Sequence, residues 1–144
     1  ILLRMHYLIS NALDLTGYEN FAVDVSNYND VSELFLVSDC LITDYSSVMF
    51  DYGILKRPQF FFAYDIDKYD KGLRGFYMDY MKDLPGPIYT EPYGLAKKLK
   101  DLDKVQDEYQ DQIDAFYDRF CSVDDGKASQ YIGELIHKDI EENK

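Results

Sequence analysis

From Ile1 onward, apolar runs of β-forming residues alternate with stretches whose apolar positions recur at helical spacing. That alternation predicts a parallel α/β sheet with helices on both faces. The runs that read as strands are Ile1–Met5, Phe21–Val25, Cys40–Thr43, Gln59–Phe62 and Pro87–Tyr89. Residues 7–13 read as a short helical region, and Asn29 or Asp30 can cap a helix whose apolar face is Val31, Leu34, Phe35 and Val37. After the third strand, the polar group Asp44, Ser46 and Ser47 precedes Val48, Met49, Tyr52, Ile54 and Leu55, which predict another helix, stopped by Lys56-Arg57-Pro58. A long connection over 65–87, punctuated by Gly72, Gly75, Pro85, Gly86 and Pro87, leads to the last strand. Helices then follow over 91–137: one from Glu91 towards Leu102 and one with Leu102, Val105, Tyr109, Ile113, Phe116 and Phe120 on one face. The last runs from Ala128 to His137, and the tail 138–144 reads as a frayed end.

At 144 residues, 47% hydrophobic and 29% charged, the chain has the balance of one folded unit, not of a disordered segment. Its formal net charge of −12 argues against nucleic acid as a partner, because neutralising phosphates supplies most of that affinity. The two cysteines, Cys40 and Cys121, show no CxxC or His partner, so neither a disulfide framework nor a zinc site is expected. No metal site and no cofactor is expected, and no apolar run reaches membrane-spanning length. A cytoplasmic location is expected. Because Ile1–Met5 already reads as a buried strand with no cap or leader before it, the chain is expected to begin inside a larger protein.

The strongest chemical signal is strand, then Thr43-Asp44-Tyr45-Ser46-Ser47, then helix. A helix start offers unpaired backbone N–H groups and a partial positive charge, and phosphate binds there readily. At the carboxyl end of a parallel strand, such a turn faces the crevice where α/β ligands sit. Ser46 and Ser47, with Thr43, are therefore candidate phosphate contacts. The plainer reading is capping, worth about 1 kcal/mol without any ligand; one helix needs only one cap, and this turn carries four capping residues. Arg4 and His6 share one side of the first strand's end, expected at the same carboxyl edge. Arg4 is a candidate clamp for a charged oxygen, and His6 a candidate acid or phosphate donor. Asp51, one helical turn beyond Ser47, is placed to accept from a ribose diol, and Arg74 in the long connection is a candidate substrate contact. Each has a structural alternative: a strand-face cation, a satisfied histidine, an exposed helix residue and a loop cation.

These residues carry a resemblance. The stretches Leu41-Ile42-Thr43-Asp44-Tyr45-Ser46-Ser47-Val48-Met49-Phe50-Asp51-Tyr52, Lys56-Arg57-Pro58, Tyr64-Asp65, Leu73-Arg74-Gly75-Phe76-Tyr77, Pro85-Gly86-Pro87 and Asp125-Gly126-Lys127-Ala128-Ser129, together with Arg4-Met5-His6, resemble the CDP-glycerol glycerophosphotransferase family of teichoic-acid primases and polymerases. The resemblance spans residue 1 to about residue 136. It implies the C-terminal, Rossmann-like donor domain of a GT-B architecture, with 1–144 as a single truncated domain. That domain would bind CDP-glycerol or CDP-ribitol, and a polyol phosphate would pass to a lipid-linked acceptor with release of CMP. The resemblance assigns the donor phosphates to Arg4, His6, Ser46 and Ser47, with His6 assisting transfer, and sets Asp51 near the ribose, Asp44 beside it. The acceptor side would lie in an upstream N-terminal domain of the same polypeptide, so this stretch alone is expected to be inactive. The intact protein would sit peripherally on the cytoplasmic face of the membrane. Tyr7 departs from the Pro often found after the family's His. Two other readings stay open: a GT-B glycosyltransferase using a nucleotide sugar, and a non-catalytic α/β interaction domain with Asp44 as a phosphoacceptor mimic.

Overall fold

The computed structural model describes residues 1–5, 14–66, 78–123 and 125–143. His6 and Arg74, together with the expected helical region 7–13, lie outside them. The chain divides into two compact units, Ile1–Leu36 and Val37–Lys144.

In the first unit, β1 (Leu2–Leu3) pairs in parallel with β2 (Val23–Asp24), Leu2 opposite Val23 and Leu3 opposite Asp24. Both strands are shorter than their apolar runs suggested. Beyond Leu3, side chains replace the ladder: the Met5 N–H donates to Ser26 Oγ at 3.0 Å, and Arg4 Nη1 donates to the Tyr28 carbonyl at 2.6 Å. Asp24 Oδ1 accepts the Ser26 N–H at 2.8 Å, and the Ser26 hydrogen bonds hold the Asp24 carboxyl below the usual carboxylate range. The helix α1 (Val31–Val37) starts on the cap expected of it, with Asp30 Oδ1 accepting the Ser32 N–H at 2.8 Å, and buries Phe35.

The second unit is built on a parallel sheet in the order β3 (Leu41–Thr43), β4 (Gln59–Phe62), β5 (Ile88–Tyr89). Thr43 lies opposite Phe61, and Phe61 opposite Ile88. Neighbouring strand residues point to opposite faces, and Phe60 and Phe61 are both fully buried, so the central strand is covered on both sides. The unit's helices among the described residues are α2 (Val48–Gly53), α3 (Pro92–Lys98), α4 (Leu102–Phe120) and α5 (Ala128–Glu142). The core joins Met49 of α2, Phe61 of the central strand and Ala63 just past it, Tyr80, Leu84, Phe116 of α4 and Cys121. Parallel strands alternating with helices are the fold class that the hydrophobic pattern predicted.

The Lys56-Arg57-Pro58 stop is held by long-range contacts. Lys56 takes a left-handed backbone, φ +52°, and its ammonium pairs with Asp114 of α4 at 2.7 Å while lying 4.2 Å from the Tyr117 ring centroid. Arg57 Nη1 donates to the Ser38 carbonyl at 2.7 Å, and the Tyr52 hydroxyl donates to the same oxygen at 3.0 Å. The last helix continues past His137 to Glu142, because the pairs His137–Glu141 and Lys138–Glu142 bridge successive turns and the Asn143 N–H closes on the Asp139 carbonyl. Among the described residues no helix is long and apolar enough to cross a membrane.

Tyr52 makes alkaline stability readable. Burial is the main cause that pushes its hydroxyl from 10.0 to about 12, so the unfolded chain ionises there before the folded one does. Its contribution is complete below pH 10 and is lost as pH rises from 10 through 12. Tyr52→Phe is expected to be less stable by about 1 kcal/mol near neutrality and to lose stability less steeply between pH 10 and 12. Urea unfolding across that range checks it; equal slopes would contradict the assignment.

Candidate functional site

The β3–α2 turn and the first turn of α2 carry five of the residues singled out by sequence: Thr43, Asp44, Ser46, Ser47 and, within α2, Asp51. Thr43 is the last residue of β3, and the chain then leaves the sheet at its carboxyl end. Asp44, Ser46, Ser47 and Asp51 are exposed. Ser47 occupies the position before α2 with φ −62° and ψ −11°, already helical, and makes no side-chain cap hydrogen bond. Ser46 Oγ meets the Val48 N–H only at 3.4 Å. Neither hydroxyl is therefore committed to strong capping, the plainer use expected of this cluster. α2 has only six residues, so hydroxyls and local N–H groups, not a long macrodipole, are what this turn offers an oxyanion.

What lies beneath the turn is closely fitted. The buried Gln59 donates Nε2 to the Met49 carbonyl at 3.1 Å, and Cys121 Sγ lies 3.4 Å from the Phe50 carbonyl. Phe50 stacks on Phe116, ring centroids 5.5 Å apart and 14° from parallel, and meets Phe120 edge-on at 5.3 Å. The first turn of α2 is thus tied to β4 and α4. Ahead of it, the Tyr80 hydroxyl donates to the Asp44 carbonyl at 2.8 Å, and the Tyr45 hydroxyl donates to Asp65 Oδ1 at 2.9 Å, just past β4. The two rings lie 5.4 Å apart. Burial first, then the hydrogen bond and charge of Asp65, raise the Tyr45 hydroxyl well above the usual tyrosine range, so it remains a proton donor.

Tyr45 and Asp65 stand within the family-like motifs with no role assigned to them from sequence, and Tyr80 stands outside those motifs. One signal was available: Tyr45 is an aromatic amid a run of small polar residues, where a purely solvated turn has no use for a ring. Arg4 sits in the first unit with its guanidinium on the Tyr28 carbonyl, which uses part of its five-donor fork. A separate cleft of about 340 Å³ is lined by Tyr89, Gly94, Lys97, Lys98, Asp101 and Lys104 and shares no residue with the turn. Two of its lysines are already paired, Lys98 with Glu108 and Lys104 with Asp101.

Residues 1–138 match the family model described as CDP-Glycerol:Poly(glycerophosphate) glycerophosphotransferase. Over 142 residues the chain is 90% identical to a teichoic acid poly(glycerol phosphate) polymerase of Staphylococcus epidermidis, covering 99% of this chain and 20% of the relative. It is 55% identical over 138 residues to a teichoic acid glycerol-phosphate transferase of Staphylococcus aureus, covering 96% of this chain and 35% of the relative. Among solved structures, that of the wall teichoic acid polymerase TagF superimposes with a TM-score of 0.89 at 90% identity, over 99% of this chain and 35% of that one. The chain thus spans between a fifth and about a third of the lengths of these relatives. With the ordered motifs from Arg4 to Ser129 inside the matched span, the chain belongs to the CDP-glycerol:poly(glycerophosphate) glycerophosphotransferase family.

Proposed function

We propose that this chain is the donor-binding domain of a polyol-phosphate transferase, and that the Thr43–Ser47 turn holds the phosphates of a CDP-polyol. The observation that carries the reading is the pair of exposed serines at the carboxyl end of β3, Ser47 making no cap hydrogen bond and Ser46 only a long one. Hydroxyls donate to phosphate oxygens, while Asp51 and Asp44 can only accept and so suit ribose or polyol hydroxyls. Arg4, His6 and Arg74 keep the roles the resemblance gives them: phosphate contact for Arg4, phosphate contact and proton transfer for His6, substrate contact for Arg74.

Phosphoryl transfer asks a protein chiefly to position the reacting groups and stabilise charge. A rigidly seated turn of small donors suits that demand. The reaction would move glycerol phosphate from CDP-glycerol to a lipid-linked acceptor, with CMP leaving, in a GT-B enzyme peripheral to the membrane. Glycerol is preferred over ribitol because the relatives at 90% and 55% identity are both named for glycerol phosphate.

Calorimetric titration of the intact protein with CDP-glycerol, CDP-ribitol and UDP-glucose tests the reading. CDP-glycerol is expected to bind at least about tenfold more tightly than UDP-glucose, a difference of about 1.4 kcal/mol. Equal affinity, or preference for UDP-glucose, would favour a nucleotide-sugar transferase instead.

A further inference from the structure

We infer that Tyr80 is a positioning residue for donor binding: by donating its hydroxyl to the Asp44 carbonyl, it holds the Thr43–Ser47 turn in the shape that presents Ser46 and Ser47. The inference rests on the donor-phosphate role proposed for that turn. Asp44 follows the last residue of β3, so its carbonyl lies beyond the strand ladder, and the Tyr80 hydroxyl reaches it at 2.8 Å. The donor is itself fixed. Tyr80 is only 3% exposed, and its ring meets Phe61 edge-on, centroids 6.1 Å apart at 84°. Its ring also lies 5.4 Å from that of Tyr45, whose own hydroxyl is held by Asp65. The backbone on which the serines ride is therefore pinned twice, once through a carbonyl from Tyr80 and once through the Tyr45 side chain.

The anchors, Tyr80 and Asp65, lie 36 and 20 residues from the turn residues they bond, and neither needs to touch the donor. Their effect is on the fraction of molecules whose turn is ready for phosphate, and apparent affinity falls in proportion to that fraction. Once donor is bound, the turn is held by the ligand, and the chemical step proceeds as before. Loss of one hydroxyl should therefore appear in KM and leave kcat alone.

The test compares Tyr80→Phe with Tyr52→Phe in the intact protein, measuring CDP-glycerol turnover and thermal unfolding. Each variant deletes one tyrosine hydroxyl that donates to a backbone carbonyl in the same unit, but the Tyr52 hydroxyl serves Ser38, away from the turn. Tyr80→Phe is expected to raise KM for CDP-glycerol about fivefold, the equivalent of about 1 kcal/mol, with kcat within about twofold. Tyr52→Phe is expected to lower thermal stability with KM unchanged. Tyr45→Phe, deleting the second pin, gives an independent rise in KM should Tyr80→Phe fold poorly. Unchanged KM in a folded Tyr80→Phe, or an equal rise in Tyr52→Phe, would overturn the inference. Ser46→Ala/Ser47→Ala separates the two levels: if it keeps wild-type KM, the reading of the turn itself fails, whereas if it loses donor and Tyr80→Phe does not, only the positioning role fails.

Discussion

Gly86→Ala is expected to destabilise the second unit by roughly 3 kcal/mol or more, placing it among the most damaging single substitutions available to a chain of this kind. A Cβ built on Gly86 would lie 1.9 Å from the Gln59 carbonyl oxygen and 3.0 Å from its carbonyl carbon. Both neighbours are backbone, so no side chain can swing away. Relief requires the Pro85-Gly86-Pro87 segment to move off the start of β4. That movement strains the bond from the Phe61 N–H to the Pro87 carbonyl at 3.0 Å, and with it the β4–β5 pairing. Gly133→Ala is the matching control, since its Cβ would meet nothing within 4 Å and the residue lies inside α5. Alanine there should leave stability unchanged or raise it by up to about 1 kcal/mol. Urea unfolding of both variants of the intact protein decides; a Gly86→Ala protein as stable as Gly133→Ala would contradict the close approach.

Phe116→Ala is expected to cost about 3–5 kcal/mol, the usual range for emptying a buried aromatic site. Phe116 is 2% exposed and sits where α4 meets α2, stacked on Phe50 and 5.0 Å from the Phe120 ring. A Cβ on Gly53 would lie 2.9 Å from its ring edge, so the two helices approach with little slack. Because Phe50 follows Ser47 by less than one helical turn, loosening this contact should also weaken donor binding. Phe116→Leu, which refills most of the volume, should recover much of both losses. Stability lost without any effect on CDP-glycerol affinity would show that α2's seating does not govern the turn.

The hydrophobic pattern located each of the five strands seen among the described residues, the α2 start and the long amphipathic α4, because burial periodicity is a local property of the chain. It overestimated β1 and β2, since a run of β-forming residues marks extended chain but the ladder's length is set by its partner. The polar composition of the β3–α2 turn was equally visible. What holds that turn was not: Tyr80 reaches Asp44 across 36 residues, and Tyr45 reaches Asp65 across 20. Such pairings depend on tertiary placement that local propensity does not encode. The tight Gly86–Gln59 approach was hidden for the same reason, although a glycine between two prolines marked a turn.

The central claim is that the β3–α2 turn holds donor phosphate, and calorimetric titration of CDP-glycerol into the intact protein and its Ser46→Ala/Ser47→Ala variant tests it most directly. Removing two hydroxyl donors from a phosphate contact should weaken binding by about 2 kcal/mol or more, roughly thirtyfold, with the unfolding transition little changed because Ser47 makes no cap hydrogen bond. Undiminished binding in that variant would contradict the assignment.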